Sequence, residues 1–352
     1  MTTRNLWRMS SAGSLERLER RTEELPPPRA GEARVRVQAI GLNFADIFAC
    51  LGLYSATPRG TFVPGLECAG VVEAIGPPRE DEGSSGSALS PGEPVMVLTR
   101  FGAYATALNA ESRYLAPIPD GWTMAEGAAY PVQSLTAWYG LMHLGALAPG
   151  QVALLHSAAG GVGLHALAMA RATGATVIGT VGQADKIPLL EARGLARGQV
   201  VVRKAKGFGA QLDVALAAVD ATGFDVVLDA IAGPFFLPAL ARLAPEGRHV
   251  LYGAADFMPK GRHPDWLRLA WQYLRRPRLD PMKLMDTNRS VMGFNLIWLF
   301  DRADRLPAAM SAALALSPAP PHIGARFPFD EVPEALRALQ SGRTMGKIVI
   351  EV

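Results

Sequence analysis

The run Val152-Ala153-Leu154-Leu155-His156-Ser157-Ala158-Ala159-Gly160-Gly161-Val162-Gly163 constrains the fold more than any other stretch of the chain. A short apolar strand, a glycine-rich turn and the start of a helix follow one another without a gap, the layout of a turn that receives a dinucleotide pyrophosphate. Gly160 lets the main chain approach the phosphates and Gly163 lets the helix pack close to its strand. The helix N-terminus then offers free N–H groups and positive dipole charge to the anion. Ala158 stands where the first glycine of Gly-x-Gly-x-x-Gly usually sits. Glycine clusters also recur in ordinary strand-to-helix turns, so the reading rests on the strand before the turn and the helix after it.

An NAD site places Asp or Glu about 20 residues further on, at the tip of the next strand, to hold the ribose 2′-hydroxyl. Here the strand 175–181 ends without an acid and runs into Gly182-Gln183-Ala184-Asp185-Lys186. Small residues leave room for a 2′-phosphate, Lys186 supplies a charge for it, and Arg203 is a second candidate cation. NADPH is therefore expected rather than NADH. The competing reading makes Lys186 a solvated cation on the first turn of the following helix.

With 352 residues the chain has length for two domains, and 49% hydrophobic with 19% charged residues describes a globular protein. A net charge of +3 with scattered basic residues shows no nucleic-acid footprint, so the expected ligand is a small molecule. No uninterrupted apolar run reaches the ~18 residues of a transmembrane helix, and Met1-Thr2-Thr3-Arg4-Asn5 opens no secretion signal. A cytoplasmic location is expected. Cys50 and Cys68 are the only cysteines, too few for a disulfide framework or a four-cysteine zinc site.

Residues 33–40 alternate polar and apolar as a half-buried strand does, and 34–76 reads as short strands and turns. Residues 77–92 read as an exposed loop. Beyond Glu126 the pattern becomes strands alternating with helices: helices over 134–144, 161–173 and 185–193, and strands over 152–156, 175–181, 200–202, 225–229 and 249–252. That alternation predicts a doubly wound parallel sheet. In 264–285, Trp266, Leu269, Ala270 and Tyr273 are spaced for one helical face, expected to pack on the core with a basic outer side; a lid or membrane-surface helix is the alternative. Residues 346–352 form a last strand.

These residues together resemble the zinc-free medium-chain dehydrogenase/reductase superfamily, in particular its quinone oxidoreductase group and the vesicle amine transport protein relatives within it. The resemblance spans nearly the whole chain. It rests on Gly41-Leu42-Asn43-Phe44-Ala45-Asp46, Gly52-Leu53-Tyr54, Pro64-Gly65-Leu66-Glu67-Cys68-Ala69-Gly70-Val71-Val72, the Ala-Ala-Gly-Gly-Val-Gly turn, Gly182 with Lys186, Tyr252-Gly253 and Gly293-Phe294-Asn295-Leu296. It implies an α/β chain in two units: a GroES-like β-rich substrate domain from 1–132 and 299–352, and a Rossmann dinucleotide-binding domain from 133–298. The active site would lie in the cleft between them. Zinc-dependent relatives begin their metal site with a Cys and a His–Glu pair. The matching stretches here read Gly41-Leu42-Asn43 and Gly65-Leu66-Glu67, so no metal is expected.

Hydride addition to an enone or quinone places negative charge on the carbonyl oxygen, which calls for hydrogen-bond donors there. The resemblance makes Asn43 the residue that orients substrate or nicotinamide ribose, Asp46 its support, and Tyr54 the donor to the carbonyl, with solvent competing as proton source. It places Thr136 near the diphosphate, together with Ala159, Gly160, Gly161 and Val162 of the turn. Gly182, Lys186 and Arg203 then fall at the adenosine end, Tyr252 and Gly253 along the adenosine-to-nicotinamide stretch, and Phe294 and Leu296 at the nicotinamide. His156 and His165 read as structural. The expected activity is NADPH-dependent reduction of a quinone or α,β-unsaturated carbonyl compound by a homodimer. The alternatives are an enoyl-thioester reductase of a lipid or polyketide pathway, and a non-catalytic NADPH-binding adaptor that engages lipid or protein through 264–285.

Overall fold

A computed structural model of the chain describes residues 2–79, 89–302 and 305–352, so residues 80–88 of the expected loop at 77–92 lie outside the described residues. Among the described residues the strands form three sheets. The first pairs β1 (Thr2–Met9) with β2 (Leu18–Leu25) as an antiparallel ribbon. The second is built from β3 (Glu32–Gly41), β4 (Glu67–Ile75), β5 (Pro94–Leu98), β6 (Ala107–Glu111) and β7 (Leu115–Pro117). The third holds β8 (Val152–Leu155), β9 (Thr176–Val181), β10 (Val200–Val202), β11 (Phe224–Asp229), β12 (Leu243–Leu251) and β13 (Ser290–Gly293). The chain then returns to the second sheet with β14 (Ile323–Pro328) and β15 (Lys347–Glu351), where β15 pairs antiparallel with β3.

The third sheet is parallel throughout, in the order β10-β9-β8-β11-β12-β13. The chain winds outward from β8 to β10, then crosses back and winds the other way from β11, so a crevice opens at the C-terminal ends of β8 and β11. The strand pleat divides its apolar residues between two cores. Leu155 and Val177 pack with Leu164 and Leu167 of the helix Gly161–Ala172, while Leu154 and Ile178 pack with Phe208 and Leu212 of the helix Phe208–Ala217. The second sheet closes over its own core of Val35, Ile40, Ile47, Val97, Tyr104 and Ile350.

The helix Trp266–Leu274 departs from the expected packing. Arg268 and Leu269 are partly covered, and Gln272 donates to the main-chain oxygen of Asp256 at 2.9 Å. The opposite face carries Trp266, Leu267, Trp271 and Leu274 into solvent, with Leu267 87% exposed, and Tyr273 is exposed as well. Spacing shows that a helix has an apolar face but not which way that face turns. No helix among the described residues is long and apolar enough to cross a membrane.

Candidate functional site

The glycine turn is built as its residue types require. Ser157, not a glycine, takes the left-handed conformation, with φ of 54°. Gly160 N donates to the Ser157 oxygen at 2.8 Å and Ala158 N to the Thr180 oxygen at 2.9 Å, which locks the turn to the end of β9. A Cβ on Gly163 would sit 2.4 Å from the Ser157 oxygen, so only glycine lets the helix Gly161–Ala172 come this close. Gly160 caps that helix without a side chain, leaving its first N–H groups facing the crevice. Gly346 N donates to the Ala159 oxygen at 2.9 Å and joins the turn to the start of β15 in the other sheet.

Between the two large sheets lies a cleft of ≈ 820 Å³ that joins this turn to the second sheet's unit. Asn43 and Tyr54 reach it from one side. Thr136, Ala159, Gly160, Gly161, Val162, Gly182, Lys186, Arg203, Tyr252, Gly253, Phe294 and Leu296 line the other. Asp46 does not line it; it lies behind Asn43. Gln133 also lines the cleft, and its buried Oε1 has no partner among the described residues.

At the end of β9 the two expected cations differ in what they have left to offer. The Lys186 ammonium donates to the main-chain oxygens of Gly342 at 2.7 Å and Thr344 at 2.9 Å, and burial lowers its pKa. The Arg203 guanidinium donates to Thr180 Oγ1 at 2.8 Å and lies over the Phe235 ring, with Nη2 3.3 Å from where a Gly182 Cβ would be. Burial brings Arg203 down to about 10, against the opposing pull of Asp229 and Tyr252, so it keeps its charge at neutral pH.

Behind the cleft, Asn43 belongs to a buried polar cluster that motif reading did not assemble. Asn43 Nδ2 donates to Glu67 Oε1 at 2.8 Å, and the Lys347 ammonium donates to Asn43 Oδ1 at 2.8 Å and to Glu67 Oε1 at 2.5 Å. Glu67 Oε2 accepts from Val132 N at 2.7 Å. Both ends of the Asn43 amide are thus committed inside the protein, and a lysine ammonium sits in the niche beside Glu67. Burial lowers the pKa of Lys347 and Glu67 counters it. Asp46 Oδ2 accepts from Asn43 N at 2.8 Å and from the Tyr104 hydroxyl at 3.0 Å, whereas its Oδ1 has no partner among the described residues. Burial pushes Asp46 up to about 7, with those two donors pulling the other way.

This raised value fixes a pH dependence. The unfolded carboxyl ionises near its ordinary value of about 4, while the folded one holds its proton up to about 7. Stability linked to Asp46 is therefore complete below pH ~4 and falls as pH rises toward ~7, by up to about 1.4 kcal/mol per pH unit. Asp46→Asn is expected to flatten that window in urea melts taken from pH 4 to 8. An unchanged slope would show that Asp46 is ionised throughout.

The buried histidines are structural in their contacts. His156 Nδ1 lies 3.1 Å from Thr180 Oγ1, His165 meets the Tyr130 ring edge-on, and burial lowers them to about 4 and about 3. Asp229 accepts from Ile231 N at 2.7 Å and Ala232 N at 2.9 Å and pairs with His249 at 3.0 Å, and Asp225 accepts from Val152 N at 2.7 Å. Both act as ties within the parallel sheet. Across the cleft, the Tyr54 hydroxyl donates to Asn295 Oδ1 at 2.7 Å, and burial pushes its pKa up to about 12.

Two family models match the chain: the alcohol dehydrogenase GroES-like domain over residues 29–120 and zinc-binding dehydrogenase over 199–350. The synaptic vesicle membrane protein VAT-1 homolog of Homo sapiens is 32% identical over 338 residues, covering 95% of this chain and 82% of its own. The Danio rerio homolog is 31% identical over 329 residues, covering 92% of this chain; the chain spans 65% of that relative's length. Among solved structures, the quinone oxidoreductase from Thermus thermophilus, determined alone and with NADPH, has a TM-score of 0.76 at 29% identity, covering 99% of this chain and 100% of its own. The CurK enoyl reductase has a TM-score of 0.81 at 25% identity, covering 99% of each chain. By its fold, its cleft and these matches, the chain belongs to the medium-chain dehydrogenase/reductase superfamily, beside its VAT-1-like members.

Proposed function

We propose that this chain is a zinc-independent, NADPH-dependent reductase that transfers hydride to a quinone or an α,β-unsaturated carbonyl compound. The observation that carries the reading is one cleft with the glycine turn and Arg203 along one wall and the Tyr54 hydroxyl on the other. The residues fit the cofactor: Gly160 and Gly161 line the cleft with bare main chain, where a Cβ on Gly161 would run into the Gln133 side chain, Gln133 Oε1 has no partner among the described residues, and Arg203, just after β10, brings a cation to the end of β9 where an NAD site keeps an acid. Arg203 would hold the 2′-phosphate, Gly160 to Val162 the pyrophosphate, and Phe294 with Leu296 the nicotinamide. NADPH supplies the hydride. The chain's own part is to exclude water with Phe44, Leu66 and Phe294 and to offer the Tyr54 proton to the substrate oxygen. Asn43 would act by fixing the helix start at the cleft wall rather than by contact through its amide or its main-chain N–H, since both are already engaged.

In this reading the units divide at 132/133 and 298/299, and the outer edge of β13 would pair with a second copy to give a homodimer. Two buried free thiols suit a reducing compartment, and this reading takes the cytoplasm as the location. An enoyl thioester is the nearest alternative acceptor. The experiment is turnover of NADPH deuterated at its transferable position with an enone. The label is expected on the carbon β to the carbonyl; label lost to solvent, or NADPH consumed without labelled product, contradicts hydride transfer.

One observation favours a second, non-catalytic reading: the outward apolar face of the helix Trp266–Leu274. The segment 260–289 holds eight Lys or Arg against three Asp, in a chain of net charge +3. Such a face suits a peripheral contact with an anionic membrane. Trp266→Ala with Trp271→Ala is expected to abolish co-sedimentation with phosphatidylserine vesicles while NADPH binding is kept; wild-type protein that stays in the supernatant contradicts it.

A further inference from the structure

Asn295 occupies the residue before the 3₁₀ stretch Leu296–Asp301, where an asparagine side chain ordinarily accepts a main-chain N–H of the turn that follows. It makes no such bond. Its side chain turns into the cleft and takes the Tyr54 hydroxyl as its partner at 2.7 Å, joining two segments 241 residues apart. Its Nδ2 has no partner among the described residues. A residue suited to capping has been spent on the one hydroxyl that the reductase reading uses.

Building on that reading, we propose that Asn295 is a positioning residue that releases the Tyr54 proton toward the substrate oxygen and supports the phenolate left behind. As it stands, the hydroxyl donates to Asn295 and has no proton left for a substrate. For Tyr54 to donate elsewhere, its oxygen must turn a lone pair toward Asn295, and two facing acceptors repel. A half-turn of the Asn295 amide removes the conflict by bringing Nδ2–H to the Tyr54 oxygen. That terminal torsion is soft, and the turn breaks only the Tyr54 bond.

The step balances. With hydride added to the electrophilic carbon, the electron pair of the substrate double bond moves onto its oxygen. The Tyr54 O–H bond breaks as an O–H bond forms on that oxygen, Nδ2–H of Asn295 donates to the phenolate, and water returns the proton. Burial pushes Tyr54 up to about 12, with the Asn295 bond pulling it down and the nearby Asp46 adding to the rise, so a donor turned toward the phenolate matters.

The test uses Asn295→Ala, Asn295→Asp and Tyr54→Phe in the full chain. Asn295→Ala is expected to lower kcat about 10-fold or more with KM for an enone within about 3-fold, and to enlarge the solvent isotope effect. Asn295→Asp is the deciding variant, since its carboxylate still accepts from Tyr54 but cannot donate; its kcat should be at least as low. Combining Asn295→Ala with Tyr54→Phe should add nothing to Tyr54→Phe alone. Independently of turnover, p-nitrophenolate serves as an oxyanion probe: its affinity should fall about 10-fold in both Asn295 variants while NADPH affinity holds. Wild-type kcat or wild-type phenolate affinity in Asn295→Asp overturns the proposal, because an acceptor-only tether would then suffice. If neither a quinone nor an enone supports NADPH oxidation by the wild type, the reductase reading fails and the phenolate measurement alone decides the role of Asn295.

Discussion

Replacing Lys347 with Met, in the buried cluster behind the cleft, is expected to lower the unfolding free energy by about 3–5 kcal/mol. The ammonium is 1% exposed and holds both Glu67 Oε1 and Asn43 Oδ1. Met matches its length without its charge, so a fully buried Glu67 carboxylate loses its cation and Asn43 loses the bond to its Oδ1. Removing the charge at the other end limits the damage: Lys347→Met with Glu67→Gln should recover a large part of the loss, since no uncompensated ion remains. Urea unfolding of the single and double variants measures both terms. A loss below about 1 kcal/mol in Lys347→Met would show that water reaches this niche and screens Glu67.

The second large effect is on cofactor choice. Arg203→Ala is expected to weaken NADPH binding about 10- to 100-fold and to leave NADH within about 3-fold, the scale of a lost hydrogen-bonded contact between guanidinium and phosphate, about 1.5–3 kcal/mol. Arg203 keeps its guanidinium beside Gly182, and among the described residues it makes one side-chain hydrogen bond, to Thr180. Lys186→Ala should do less, because two main-chain oxygens already take protons from its ammonium. Its main effect is expected on the turn at 342–346 and thus on the join between the units. Fluorescence titration with both nucleotides separates the two residues. A larger NADPH defect in Lys186→Ala than in Arg203→Ala would reverse their roles.

What could be read beforehand follows from the range of each interaction. The demand for glycine at 163 is local, set by an oxygen six residues back, and the strand–turn–helix pattern states it openly. The alternation that announces a doubly wound sheet is likewise local, and β8 to β12 run parallel as the pattern predicts, with β13 added at the edge where no strand was expected. The pairing of Glu67 with Lys347 spans 280 residues, and a lysine opening the strand ahead of Ile348, Val349 and Ile350 carries no sign that it turns inward. Asn295 stood between two residues already singled out, Phe294 and Leu296, yet its partner Tyr54 lies in the other unit. Lys186 shows a further limit: a charge in the right stretch was legible, but the main-chain oxygens that occupy it come from a turn more than 150 residues away. The helix Trp266–Leu274 adds another: spacing groups Trp266, Leu269, Ala270 and Tyr273 on one face without saying whether protein or solvent lies there, and it is Trp266, Leu267, Trp271 and Leu274 that turn outward.

The most direct test of the account is acceptor-dependent oxidation of NADPH by the purified wild-type chain, followed through loss of the reduced-nicotinamide absorbance with a quinone and with an enone, and repeated with NADH. The account predicts tight NADPH binding, turnover with at least one of the two acceptors, and a clear preference for NADPH over NADH. Equal use of both nucleotides would contradict the role given to Arg203, and NADPH binding without oxidation by either acceptor would contradict the reductase itself.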